Sequence, residues 1–352
     1  MKYKTILLYG YYGHDNIGDD LMLEGLVNHL LEKYKVSVMV LTASNLEFLI
    51  KYNVKQILLS RNNIIEVLFG IYEADLVVWG GGTCFYDTAG LKGLREIKKI
   101  QILCKLLFTD FGFLNVGVGT ISTEQGWKLI DRLVNNSVKV LLRDSNSLKL
   151  LLNRKRINKV LIHKGNDLIF LKNFTVNPVR RNKKRIMNLS FSGVYFLDEN
   201  ISFFYAKILN HLVQEIPGIR IHFLPAHTGV KNDNIFHEKI AKYLKKGNWE
   251  ICRPGSHEGF IMLMQQMDFH IGMRLHSIII ADLLALPNIG LNYSNKVKYY
   301  LEYDCSSKRV FEIGEPFDKE DLNRVMLNYD PALIPKDSFR KEVEKSLELL
   351  VK

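Results

Sequence analysis

Only four cysteines occur in the 352 residues, Cys84, Cys104, Cys252 and Cys305, and no two form a C-x-x-C pair. Scattered in this way, with no histidine at ligand spacing, they read as free thiols, which argues against a disulfide framework and a structural metal site. No apolar run reaches the roughly 18–20 residues that span a bilayer. Lys2 and Lys4 precede apolar residues, but glycines and acids interrupt the stretch at once, unlike a signal peptide. The expected location is therefore cytoplasmic. Neither G-x-G-x-x-G nor G-x-x-x-x-G-K-[ST] can be written across the glycine-rich opening, so the two common nucleotide fingerprints are missing. There is no disordered tail and no internal repeat.

The length suits two compact domains of ordinary size, and 47% hydrophobic content is that of a globular chain. A formal charge of +11 favours anionic partners. The basic residues are spread out, apart from Arg180, Arg181, Lys183, Lys184 and Arg185, and no nucleic-acid module accompanies them, so nucleic acid is not an expected partner. Weak peripheral contact with anionic lipid at the inner membrane face is compatible with the charge, at about 1 kcal/mol for each basic residue near the surface.

Strand-like and helix-like segments alternate through the first half. Residues 5–9, 35–41, 74–79, 113–118 and 138–142 read as strands, and residues 21–31, 45–52, 93–107 and 124–134 as helices. Alternation of this kind predicts a parallel sheet covered on both faces. Residues 173–185 are polar, charged and contain Pro178, and read as a linker. A second α/β unit follows, with strands at 186–190, 219–224 and 269–271 and helices at 201–215, 236–244, 259–266 and 276–286. The expected division is 1–174, 185–335 and a C-terminal helix over 336–352. Two Rossmann-like domains facing a central cleft, with that helix packing back on the first, resemble the GT-B architecture.

The densest chemistry lies at the start, in YGYYGHDNIGDD over residues 9–20, between a strand and a helix. Gly10, Gly13 and Gly18 allow close backbone approach, and a helix mouth offers N–H groups to an anion. Glycines alone would serve a tight turn, but Asn16, Asp19 and Asp20 are more polar than a turn requires. Gly80, Gly81 and Gly82 end another strand, where open α/β sheets place their ligands. Arg274 and His276 stand just before a continuous apolar helix. A cation there loses up to about 1 kcal/mol unless an anion is bound. Arg143 ends the strand 138–142 and is expected to face the same cleft. Ser145 or Ser147 can cap the helix after it.

These residues resemble the polysaccharide pyruvyl transferase family. Its opening G-x-x-G-x-x-N-x-G-D is present from Gly10 to Asp19, with Asp20 where a glutamate is usual. R-D-x-x-S matches Arg143 to Ser147, G-G-G matches Gly80 to Gly82, and R-L-H matches Arg274 to His276. Y-x-x-K matches Tyr293 to Lys296, the mid-chain aspartate matches Asp167, and P-x-H with a later aspartate fits Pro225, His227 and Asp233. The stretch Phe191-Ser192-Gly193 departs from the family pattern, which leaves acceptor specificity open.

The resemblance implies a phosphoenolpyruvate donor and an acceptor sugar in a cell-surface glycan or its precursor, whether free, nucleotide-linked or lipid-linked. It implies no metal or further cofactor. Arg143 and Arg274 would hold the donor's anionic groups and His276 would move a proton. Gly13, Asn16, Gly18, Asp19, Asp20, Gly81, Gly82, His227 and Lys296 complete the expected binding set. Asp19 and Asp20 are equal candidates for the base. The rivals are a GT-B glycosyltransferase using a nucleotide sugar, for which Glu258 is an outside candidate at the ribose, and an inactive glycan-binding relative.

Overall fold

The structure, a computed structural model, describes residues 2–175, 185–245, 247–305 and 309–352. The chain divides into two compact units. The first gathers the chain up to His14, Asp19–Asn173 and Lys336–Lys352; the second gathers Asp15–Gly18 and Phe174–Pro335. Most of the linker expected at 173–185 lies outside the described residues, namely 176–184.

The first unit opens with β1 (Thr5–Tyr9), α1 (Ile17–His29), β2 (Ser37–Thr42), β3 (Lys55–Leu58), α2 (Ile64–Glu73) and β4 (Leu76–Gly80). It continues with β5 (Thr83–Phe85), α3 (Lys92–Leu106), β6 (Asp110–Val118), α4 (Glu124–Asn135), β7 (Val140–Leu142), α5 (Ser145–Leu152) and β8 (Ile162–Lys164). The strands run parallel in the order β3-β2-β1-β4-β6-β7-β8, with β5 on β6. Ile6, Leu7 and Leu8 are at most 1% exposed, which is why β1 is an unbroken apolar run rather than an alternating one.

In the second unit come β9 (Asn188–Ser192), α6 (Glu199–Glu215), β10 (Arg220–Phe223), α7 (Asn234–Ala241), β11 (Trp249–Ile251) and α8 (His257–Met264). After these follow β12 (Phe269–Gly272), α9 (Leu275–Leu283), β13 (Asn288–Asn292), α10 (Lys296–Lys298), β14 (Val310–Glu312) and α11 (Lys319–Asn328). This sheet is parallel too, ordered β11-β10-β9-β12-β13-β14. That is the 3-2-1-4-5-6 order of a doubly wound Rossmann sheet. Phe191, Phe223, Phe269 and Tyr205 anchor its core.

The last helix, α12 (Lys336–Val351), returns to the first unit. Phe339, Val343, Leu347 and Leu350 recur at helical spacing and are all buried, with Phe339 packed 4.9 Å from Phe170. Lys164 and Glu342 close the contact with an ion pair at 2.9 Å.

Three local expectations are corrected. Residues 45–52 are a 3-10 turn, Glu47–Tyr52, instead of a full helix. The glycine-rich opening ends sooner than expected, because α1 starts at Ile17 and so absorbs Gly18, Asp19 and Asp20. Asn16 stands at its cap, its side-chain oxygen accepting the Gly18 N–H at 3.2 Å. Neither Ser145 nor Ser147 caps α5: Asp144 does, accepting from the Ser147 N–H at 2.7 Å. The Ser147 hydroxyl instead accepts the Val118 N–H, tying α5 to the end of β6.

Candidate functional site

In a doubly wound sheet the strand order reverses at one point, and the loops beyond the strand ends there part to leave a crevice. In the first unit that point lies between β1 and β4. Tyr12 folds back from the β1 loop and donates its hydroxyl to the Gly80 carbonyl at 2.7 Å. A Cβ on Gly10 would lie 2.7 Å from the Tyr12 ring, so this glycine serves close packing. Gly13, Gly81 and Gly82 do take left-handed φ values of 77°, 70° and 68°. The Gly82 turn makes room for the buried Asp19, whose Oδ1 lies 3.3 Å from where a Cβ on Gly82 would stand. Asp20, next along α1, is half-buried.

Arg143 is 7% exposed at the end of β7. Its Nη1 lies 3.3 Å from Asp167, its Nη2 donates to Thr83 Oγ1 at 3.2 Å, and Asp144 stands 3.6 Å from its Nε. Gly117 lies directly under the guanidinium, 2.8 Å from Nη2 to its notional Cβ. The side chain thus ties together the ends of β5, β6 and β7 instead of standing open to a ligand.

In the second unit the order reverses between β9 and β12. The chain leaves β12 through Met273, and Arg274 occupies the cap position of α9. The anion that an arginine at a helix mouth requires is supplied by the protein: Asp233, fully buried, accepts from Arg274 Nη2 at 2.5 Å and Nε at 3.2 Å. The Asp233 carboxylate also takes the His227 N–H at 3.0 Å and the backbone of Tyr195. Burial pushes the Asp233 carboxyl above its ordinary range, with Arg274 pulling the other way. Tyr195 and Tyr293 lie near enough to act on the Arg274 charge.

His276 follows in the first turn of α9 and is half-buried. Its ring lies against Gly18: a Cβ there would stand 1.9 Å from His276 Nδ1. Neighbouring backbone holds that contact, with Ile17 N–H donating to Ala226 O at 3.1 Å, Thr228 N–H to Asp15 O at 3.0 Å, and Asn16 bridging His227. The second unit therefore brings Asn16, Gly18, His227, Arg274 and His276 into one constellation. Lys296 begins α10, beyond the end of β13, and is half-buried. Gly18→Ala is expected to displace the His276 ring and to lower turnover by about 10–10²-fold with little loss of folding, as a misplacement near 1 Å does. Steady-state rates beside a thermal melt check this; normal turnover would show the contact to be dispensable.

Two fully buried histidines stand behind this constellation. His237 accepts the Gly193 N–H at Nε2 (2.9 Å) and meets Asn234 Oδ1 through Nδ1. His270 lies between Ser190 and Ser277. Burial holds both down to about 3, aided at His237 by the Arg274 charge. Unfolded, each would protonate near about 6.5. Between those values the unfolded chain binds protons that the folded chain refuses. Stability is therefore complete above about pH 6.5 and is lost as pH falls towards 3, at up to about 1.4 kcal/mol per pH unit for each histidine. Urea midpoints should accordingly fall between about pH 7 and about pH 5; level midpoints would contradict this.

Strand pairing also gathers one metal-capable set that sequence spacing does not reveal. His222, Glu250 and Cys252, on β10 and at the end of β11, bring their ligand atoms within 4.8 Å of one another. His222 already pairs with Glu250 at 2.7 Å, and burial pushes the Cys252 thiol up to about 11, which favours the protonated, non-ligating form. Sequence reasoning also passed over His237, His270, Ser190 and Ser277. The available signal was a polar residue between apolar neighbours in a parallel strand, as in Leu189-Ser190-Phe191 and Phe269-His270-Ile271.

A sequence model of the polysaccharide pyruvyl transferase family matches residues 16–295. No individual curated protein sequence matches the chain. Among solved structures, UDP-GlcNAc 2-epimerase from Neisseria meningitidis bound to UDP-GlcNAc is similar at TM-score 0.64, with 12% identity over 99% of each chain. The UDP-GlcNAc 2-epimerase from Methanocaldococcus jannaschii gives 0.63, with 15% identity over 99% of each. A lipopolysaccharide outer core galactosyltransferase gives 0.55 at 10% identity, over 98% of this chain and 99% of that one. At these identities the likeness is one of fold, two Rossmann-like domains of the GT-B kind. Among the described residues no helix is long and apolar enough to cross a membrane.

Proposed function

Because the chain belongs to the polysaccharide pyruvyl transferase family, we propose that it moves a pyruvyl group from phosphoenolpyruvate onto a sugar of a cell-surface glycan or its precursor, closing a ketal. The observation that carries this reading is the start of α9, where an anchored arginine and a half-buried histidine meet at the switch point of a parallel sheet. Asp233 fixes one edge of the Arg274 fork and leaves Nη1 without a hydrogen bond among the described residues. Nη1 and the first N–H groups of α9 are the donors for the carboxylate or phosphate of the donor. Lys296 adds charge at the phosphate.

His276 protonates the methylene carbon as C2 becomes oxocarbenium-like, and a sugar hydroxyl attacks C2 and gives up its proton. A neighbouring hydroxyl then displaces phosphate at the same carbon and gives up its own proton. Phosphate leaves with the C–O bond electrons, so one donor and one diol give one ketal and one phosphate. In the first unit, Asp19 and Asp20 are assigned to the acceptor, beside the turn of Gly81 and Gly82. Arg143 enters as the residue that organises those loops through Asp167 and Thr83.

Phosphate release from phosphoenolpyruvate, dependent on a glycan acceptor, tests the proposal. The second reading, a nucleotide-sugar enzyme, draws on the similarity to proteins solved with UDP-GlcNAc. Turnover of a UDP-sugar without phosphate release from phosphoenolpyruvate would replace the first reading with the second.

A further inference from the structure

We propose that His270 and Ser277 are positioning residues: a buried relay running from Ser190 through them to the Arg274 carbonyl fixes the start of α9, and with it the place of the His276 imidazole. The inference rests on reading His276 as the proton carrier. Ser190, His270 and Ser277 are each fully buried. Ser190 Oγ lies 2.9 Å from His270 Nδ1, His270 Nε2 lies 3.0 Å from Ser277 Oγ, and Ser277 Oγ donates to Arg274 O at 2.8 Å.

The direction of the relay follows from the inventory of protons. A carbonyl can only accept, so the single hydroxyl proton of Ser277 goes to Arg274 O. Ser277 Oγ then has lone pairs to offer His270, which requires the proton on Nε2. In a neutral imidazole that leaves Nδ1 as an acceptor, and the Ser190 hydroxyl, which also lies 3.3 Å from the Phe269 carbonyl, donates to it over the shorter distance of 2.9 Å. Burial keeps His270 neutral, so one tautomer serves throughout.

The relay ends where the site begins. Arg274 occupies the cap of α9 but makes no side-chain cap bond, its guanidinium being turned to Asp233. Its carbonyl collects the Ser277 hydroxyl as well as the N–H groups of Ser277 and Ile278, at 3.0 and 3.3 Å. Gly272 gives independent support: a Cβ there would lie 2.6 Å from His270 Nε2 and 2.7 Å from Ser277 Oγ, so only a glycine at the end of β12 leaves room for their bond. Apolar side chains could fill such a space without three buried polar groups that must all be matched. What they could not do is hold the carbonyl two residues ahead of His276.

The test compares Ser277→Ala, His270→Leu, the double variant and Ser202→Ala. Ser202 is a matched control: it is fully buried and donates to the Asp198 carbonyl at the cap of α6, at 2.8 Å. In Ser277→Ala, kcat with phosphoenolpyruvate should fall about tenfold while the donor KM stays within about twofold. Because His270 acts through Ser277, the double variant should be no slower than Ser277→Ala alone. Ser202→Ala should lower the melting temperature comparably and leave kcat unchanged. The NMR resonances of His276, which need no substrate, should shift in Ser277→Ala and stay in place in Ser202→Ala. If the donor assignment is wrong, the parent will not turn over phosphoenolpyruvate, yet the resonance shift will remain. If the resonances stay in place in Ser277→Ala, or if both serine variants lose kcat in proportion to their stability, the relay is packing alone and the proposal fails.

Discussion

His276→Ala lowers kcat by roughly 10²–10⁴-fold and leaves donor affinity close to that of the parent, if the imidazole carries the proton to the methylene carbon. The geometry makes the split between kcat and affinity sharp. His276 sits in the first turn of α9, after the arginine proposed to meet the donor's anion, so removing its ring leaves Arg274 and the helix N–H groups in place. The ring is half-buried against Gly18, which limits its rotamers and places Nδ1 beside backbone rather than open water. Steady-state kinetics with a donor titration measure both halves of the claim. Near-normal kcat would make the histidine a packing partner of Gly18; weakened donor binding at normal kcat would make it a binding group.

The second large effect concerns stability. Asp233→Ala should cost about 3 kcal/mol or more, because it leaves a largely buried guanidinium without its anion. Asp233 has no exposed surface and the Arg274 side chain only 19%, so water can replace little of the lost pairing. The same carboxylate holds the His227 N–H and the backbone of Tyr195, so two loops loosen together. Arg274→Met combined with Asp233→Leu should restore much of the stability and none of the activity, since a matched apolar pair removes the stranded charge. Arg274→Lys should recover neither in full, because an ammonium cannot make both fork contacts. Urea unfolding of the three variants measures the energies; an Asp233→Ala protein as stable as the parent would mean that the guanidinium finds solvent by moving.

How far the sequence reaches can be judged from single elements. The helices α3, α4 and α6 show clear 3.6-residue spacing, and the R-L-H stretch announces α9 because an apolar run follows at once. The helix α2 escaped the sequence reading for the opposite reason. Its ten residues are nearly all apolar, Ile65, Phe69 and Tyr72 among them although they stay exposed, so the run reads as easily as a buried strand. The strands β3, β8, β11 and β14, of three or four residues each, are too short to show a period. At the site, residue types were readable and partners were not. The identity of Gly18 suggests a flexible turn, whereas its reason is an imidazole from a residue more than two hundred positions away. Arg274 reads as a ligand fork waiting for an anion until tertiary structure brings Asp233 to it.

The return of α12 to the first unit has a consequence for how the protein is made. The second unit is nearly all one continuous stretch, Phe174–Pro335, and its sheet is complete before the chain ends. The first unit is begun earlier and finished later, because the surface covered by Phe339, Val343, Leu347 and Leu350 stays bare until those residues leave the ribosome. Domains emerging from the ribosome generally fold in order from the N-terminus. Here that order is interrupted: the second unit can close while the first is still waiting, with an apolar strip open to misassociation. A released chain truncated before residue 336 should therefore resist protease over its second unit and be cut in its first.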